Sequence, residues 1–147
     1  FLYSPYNPYN IKDIEGFSPF ADNCFPVDLK IWGNVNFVSG KRFTDLNIPT
    51  LAFLTSKDGD ILYDFSWCLP TNVDFYAVSI KDISKDGLKD IIIIFGMEVY
   101  SSGNKARILI QKPDGSFYVD GELDQEINDS DIRKDMETIT EYLSKKF

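Results

Sequence analysis

The chain has 147 residues, with 44% hydrophobic and 15% aromatic side chains. That is enough apolar material for one domain, or at most two small units sharing a core. Its formal charge of −8, with Lys and Arg scattered along the chain, repels phosphate backbones and argues against nucleic acid or an anionic membrane surface as a partner. There is no histidine, which removes the commonest general base, the commonest zinc ligand and every nucleophile–His arrangement.

Residues 1–23 form a lead rich in Tyr, Phe, Pro and Asn, including Tyr3, Pro5, Tyr6, Pro8, Tyr9, Phe17, Pro19 and Phe20. Prolines at this density favour extended and turn conformations. The rings are expected to lie over the domain's own apolar surface, with a sugar-stacking platform as the alternative. The chain opens on Phe1 without Met or a signal-peptide pattern, so a mature or trimmed product is expected. Cys24 and Cys68 are too few and too far apart for a zinc cluster. A disulfide between them would fit an exported protein and is the expectation; two buried thiols would fit a cytosolic one.

Residues 24–121 read as a β region. Leu29, Ile31, Val35, Phe37 and the run Ile48–Leu54 are apolar or β-branched and are broken by Gly33, Gly40 and Asn47. Asp58-Gly59 separates two strand-like runs, and Asp114-Gly115 separates two more; both are hairpin signals, since Gly takes the positive φ a tight turn requires. With Cys24-Phe25-Pro26 and Cys68-Leu69-Pro70 upstream of them, the hairpins hint at an internal repeat. Phe75–Ile80 and 91–100 are two further strands, the second apolar on both faces and therefore central. No run approaches the roughly 18 to 20 apolar residues of a membrane span, so no transmembrane segment is expected.

At the C-terminus the period changes. Ile132, Met136, Ile139, Leu143 and Phe147 fall three or four residues apart, which predicts an amphipathic helix over 128–147. Ser130 is its expected N-cap, with Asp131 and Asp135 near the positive end and Lys145 and Lys146 near the negative end. The helix is expected to pack on the sheet; a detachable partner-binding helix is the alternative. The acidic run Asp120–Asp131 is read as turns leading to the helix start. Trp32 and Trp67 are expected in the core, with a sugar-stacking surface as the alternative.

One segment carries chemistry: Asp82-Ile83-Ser84-Lys85-Asp86-Gly87-Leu88-Lys89-Asp90. Calcium takes six to eight oxygens at about 2.3 to 2.6 Å. Oxygens at alternate positions of a tightly wound loop can converge on one centre. Asp82, Ser84 and Asp86 offer side chains, Gly87 permits the turn, Leu88 offers its carbonyl and Asp90 closes the far side. The twelfth position is Ile93 rather than Glu and the flanks are strands, which excludes an EF-hand. The alternative is a metal-free loop in which Asp and Ser side chains cap backbone N–H groups.

The pattern D-x-[DNS]-x-D-G-x-x-D resembles the calcium loop of the FG-GAP and VCBS-type repeats of integrin-like β-propellers. The likeness covers about residues 73–120, including the flanking strands and the turn Pro113-Asp114-Gly115-Ser116-Phe117. It implies Asp82, Ser84, Asp86, the Leu88 carbonyl and Asp90 as calcium ligands, with the ion tying strands together and partners binding elsewhere. A whole propeller needs four or more four-stranded blades, so a standalone variant or a piece of a longer array is implied.

The expected fold is therefore a single mainly β (α+β) domain of antiparallel hairpins, like a propeller blade, with a C-terminal helix on the sheet. The expected function is a non-enzymatic, calcium-stabilised module that binds a protein or carbohydrate. Its expected location is secreted or on the extracellular side of a bacterial envelope. A small envelope hydrolase working through Asp and Glu carboxylates is the alternative.

Overall fold

The structure, a computed structural model, describes residues 10–97 and 103–147. The tyrosines of the lead up to Tyr9, and the end of the strand expected over 91–100, lie outside the described residues. The fold is mainly antiparallel β with two helices, the second at the C-terminus. Two compact units divide the chain. One takes the residues up to Asp28 and Gly33–Val73; the other takes Leu29–Trp32 and Asp74–Phe147.

In the first unit, strands β1 (Phe17–Pro19), β3 (Gly33–Arg42), β4 (Thr50–Thr55) and β5 (Ile61–Asp64) are hydrogen-bonded in that order, and β2 (Phe25–Leu29) also pairs with β3. The β4–β5 turn follows from Asp58-Gly59. Gly59 has φ +89, its N–H donates to Ser56 O at 3.0 Å, and Ser56 N–H donates to Asp60 O at 2.9 Å. The core joins Ile14, Phe53 and Ile61, with Phe37 stacked on Phe25 at 5.6 Å and tilted against Phe65 at 6.0 Å.

Two expectations are corrected in this unit. Cys24 and Cys68 are free thiols. Cys24 Sγ donates to Ser39 O and accepts from Ser39 N–H, whereas Cys68 Sγ donates to Phe65 O at 3.1 Å. Each sulfur is used by its own neighbourhood. Trp67 lies on the short 3-10 turn Ser66–Cys68 and is 59% exposed rather than buried; the turn seats Cys68 inward and leaves the indole outside. Trp32 is half-buried, its indole donating to Gly115 O at 2.9 Å within the second unit.

The second unit is a four-stranded meander, β6 (Asp74–Lys81), β7 (Asp90–Gly96), β8 (Lys105–Gln111) and β9 (Phe117–Val119), in sequence order. The turn at Asp114-Gly115 repeats the earlier one. Gly115 has φ +91 and donates to Lys112 O at 2.9 Å, while Lys112 N–H donates to Ser116 O at 2.7 Å. Every residue of β7 is buried, as its unbroken apolar run requires. One sheet face, built from Ile92, Ile94, Ala106, Ile108 and Ile110, packs against Leu123, Ile127, Ile139 and Leu143 of two helices.

Those helices, α1 (Gly121–Asp129) and α2 (Met136–Lys146), replace the single helix expected over 128–147. Asp120 caps α1 by accepting from Leu123 N–H, and Asp135 caps α2 by accepting from Thr138 N–H. Ser130 ends α1 instead of starting a helix, its hydroxyl donating to Ile127 O. Ile132 and Met136 both pack on the cluster, so the apolar spacing runs on across a break in the backbone. Among the described residues, no helix is long and apolar enough to cross a membrane.

The short β9 pairs only with Leu109–Gln111 of β8. Beyond it, α1 side chains take over the strand's hydrogen bonds. Asn128 Oδ1 accepts from Ala106 N–H at 2.8 Å and Nδ2 donates to Ala106 O at 3.0 Å; Asp124 Oδ1 accepts from Ile108 N–H at 2.8 Å. Arg107 Nε donates to Asp124 Oδ2 at 3.1 Å. Burial nevertheless pushes the Asp124 carboxyl above its ordinary value. Because Ala106 is buried, Asn128→Ala strands one donor and one acceptor and is expected to cost about 1–3 kcal/mol, read as a lower urea midpoint at unchanged slope.

Candidate metal centre

The loop from Asp82 to Lys89 joins β6 to β7, and its shape follows from side chains that accept backbone N–H groups. Asp82 Oδ1 accepts from Lys85 N–H at 2.9 Å and Asp86 N–H at 3.2 Å, and Oδ2 from Gly87 N–H at 2.8 Å. Asp86 Oδ1 accepts from Leu88 N–H at 2.9 Å. These bonds wind the chain tightly enough to put Lys85 at φ +63 and Gly87 at φ +87. The left-handed region suits glycine; lysine enters it only when its surroundings hold it there.

Asp90 is the inner end of the loop. It has no exposed surface. Its Oδ2 accepts from Ile83 N–H at 2.9 Å, Ser84 N–H at 3.0 Å and Ser84 Oγ at 3.0 Å, and its Oδ1 from Gln111 N–H at 3.0 Å. A carboxylate offers about four lone-pair sites, two on each oxygen. Oδ2 is therefore saturated, while Oδ1 keeps one lone pair for a further partner.

Carboxylate oxygens of Asp82, Asp86 and Asp90 all lie within 4.8 Å of one another, the first two residues exposed and the third buried. Three points so spaced share a centre no more than about 2.8 Å from each, near the calcium–oxygen bond of about 2.3 to 2.6 Å. Three hard anionic oxygens, open to solvent on one side and rigid on the other, fit that ion. Ser84 is tied to the group through Asp90, and Leu88 is half-buried on the loop with its N–H on Asp86. Of the five residues singled out by spacing, the Asp82, Asp86 and Asp90 carboxylates converge, with Ser84 and Leu88 beside them in the same segment.

The Leu88 N–H, aided by the Ser84 and Asp82 side chains, holds the Asp86 carboxyl below its ordinary value of 3.8. The Lys85 ammonium reaches away along the loop to Ser144 O, at 3.2 Å, and Phe147 O. Two contributors were invisible to spacing. Gln111 acts through its backbone from a distant strand. Ile83, the apolar residue between two oxygen-bearing positions, is buried in the core with Ile139 and Leu143; an isoleucine between Asp82 and Ser84 was the available signal.

Comparison with protein-family models, with curated proteins and with solved structures finds no match to this chain.

Two outcomes follow from this geometry. Asp90→Ala removes the acceptor of three backbone N–H groups and should cost at least about 3 kcal/mol even in the presence of a chelator, measured by urea unfolding. For Asp86 the folded value is depressed, so its stabilising contribution is complete above 3.8 and is lost as pH falls through the lower folded value. Carbon-detected NMR of the Asp86 carboxyl should accordingly give a midpoint below 3.8.

Proposed function

We propose that this chain is a calcium-stabilised β module of the FG-GAP and VCBS type, non-enzymatic, that works by binding a protein or carbohydrate outside the cell. The observation that carries the reading is the approach of the Asp82, Asp86 and Asp90 carboxylates to within 4.8 Å in the loop between β6 and β7. When bound, the ion neutralises converging negative charge and adds a link between the loop and the buried end of β7. Asp82, Asp86 and Asp90 hold it through carboxylates, Ser84 through its hydroxyl and Leu88 through its carbonyl.

Further support comes from the unit that carries the loop. Four strands in sequential antiparallel order are the make-up of a propeller blade. The absence of histidine from the sequence and the use of Asp120 and Asp135 as helix caps favour a binding role over carboxylate-driven hydrolysis. Extracellular calcium modules work with dissociation constants of about 0.1 to 1 mM, which suits a site with two exposed carboxylates.

Titration calorimetry on chelator-treated protein tests the reading. At a dissociation constant of about 0.1 mM, calcium at about 1 mM stabilises the fold by about 1.4 kcal/mol, seen as a rise of a few degrees in melting temperature. Asp82→Asn and Asp86→Asn should each weaken uptake by about tenfold or more. Lack of uptake by the unaltered chain up to millimolar calcium would sink the proposal.

A further inference from the structure

The loop does more than gather carboxylates: it supplies two side chains that hold α2. Ile83 is 6% exposed and lies in the same cluster as Ile139 and Leu143. Lys85 extends its ammonium to Ser144 O at 3.2 Å and to Phe147 O, carbonyls at the C-terminal end of α2 where the helix dipole is negative. Both residues sit between Asp82 and Asp90 in the chain, so their positions are fixed by the same carboxylates that converge on the candidate metal centre.

The seat of α2 at this corner is incompletely packed. A hollow of about 170 Å³ is lined by Lys81, Asp82, Ile83, Lys85, Thr140 and Ser144. Thr140 Oγ1 is sealed from solvent with no hydrogen-bond partner. At its other side α2 is tied to α1, with Tyr142 OH and Lys146 Nζ both donating to Glu126. The C-terminal end of α2 is thus held by the apolar contacts of Ile139 and Leu143, by the Glu126 contacts toward α1 and by the Lys85 contact from the loop.

We infer that the loop is a cation-operated clasp: occupancy by calcium fixes Ile83 and Lys85 and so fastens the C-terminal helix, and loss of calcium loosens it. The inference rests on the calcium reading proposed above and assigns that site a regulatory role. Lys85 is a positioning residue in this scheme and contributes no oxygen to the ion. Loosening α2 withdraws Ile139 and Leu143 from the apolar cluster they share with Ile83, Ile92 and Ile94, the feature through which calcium can alter what the module presents to its surroundings.

The test is hydrogen–deuterium exchange on the intact chain, at about 1 mM calcium and with chelator, alongside calorimetric calcium titration. In the unaltered chain, amides of Met136–Lys146 should exchange about tenfold or more slowly with calcium. Lys85→Met should bind calcium within about threefold of the unaltered chain yet lose most of that added protection, and Lys85→Arg should restore it. Calcium uptake without a change in α2 exchange overturns the clasp and leaves the site standing, as does full calcium-dependent protection in Lys85→Met. Absence of uptake overturns both. If Lys85→Met fails to fold, the comparison of Lys85→Arg with the unaltered chain, and exchange in the unaltered chain itself, still decide.

Discussion

A buried carboxylate is costly unless donors surround it, and Asp90 meets that condition with three backbone N–H groups and one hydroxyl. Those donors come from two places. Ile83 and Ser84 lie at the start of the loop and Gln111 at the end of β8, so one side chain pins the loop, the first residue of β7 and the neighbouring strand. The path of the chain at Ile83 and Ser84, and with it the inward seating of Ile83, depends on it. Because Oδ1 retains a lone pair, the same group can serve structure and ion together.

The second unit also shows how a short strand is completed by a helix. β9 ends after three residues, and Asn128 and Asp124 continue the ladder along β8 with side-chain amide and carboxylate groups. This places α1 by polar geometry as well as by Leu123 and Ile127, and it draws a carboxyl into a site where burial works against its charge. The arrangement holds because Arg107 and the Ile108 N–H supply compensating interactions.

Much of the architecture was legible in local sequence. Asp58-Gly59 and Asp114-Gly115 announced two hairpins that share one hydrogen-bond pattern, and the run from Ile91 to Phe95 announced a central strand, because turn chemistry and apolar runs are local properties. The loop's alternating oxygens were legible for the same reason. What failed depended on tertiary partners. Ser130 and Asp135 are both good caps, and only the packing of the intervening residues decides between them. The segment Gly121–Asp129 looks like an acidic turn until Leu123 and Ile127, four apart, are given a sheet to cover. The cysteines look like a pair only while the local partners Ser39 and Phe65 are unknown. The contacts of Lys85 with the end of α2 span 59 and 62 residues of sequence and have no local signature.

The dependence of β8 on α1 also bears on how the chain reaches this state. Strands β6 to β9 precede both helices in the sequence, so a nascent chain carries β8 before the helix that satisfies its outer edge. Until α1 docks, Ala106 and Ile108 present open backbone groups beside an apolar face, the combination that recruits strands from other molecules. Chains cut short after β9 would keep every strand of the sheet and still be prone to pair with one another, since the residues that guard its edge are helical.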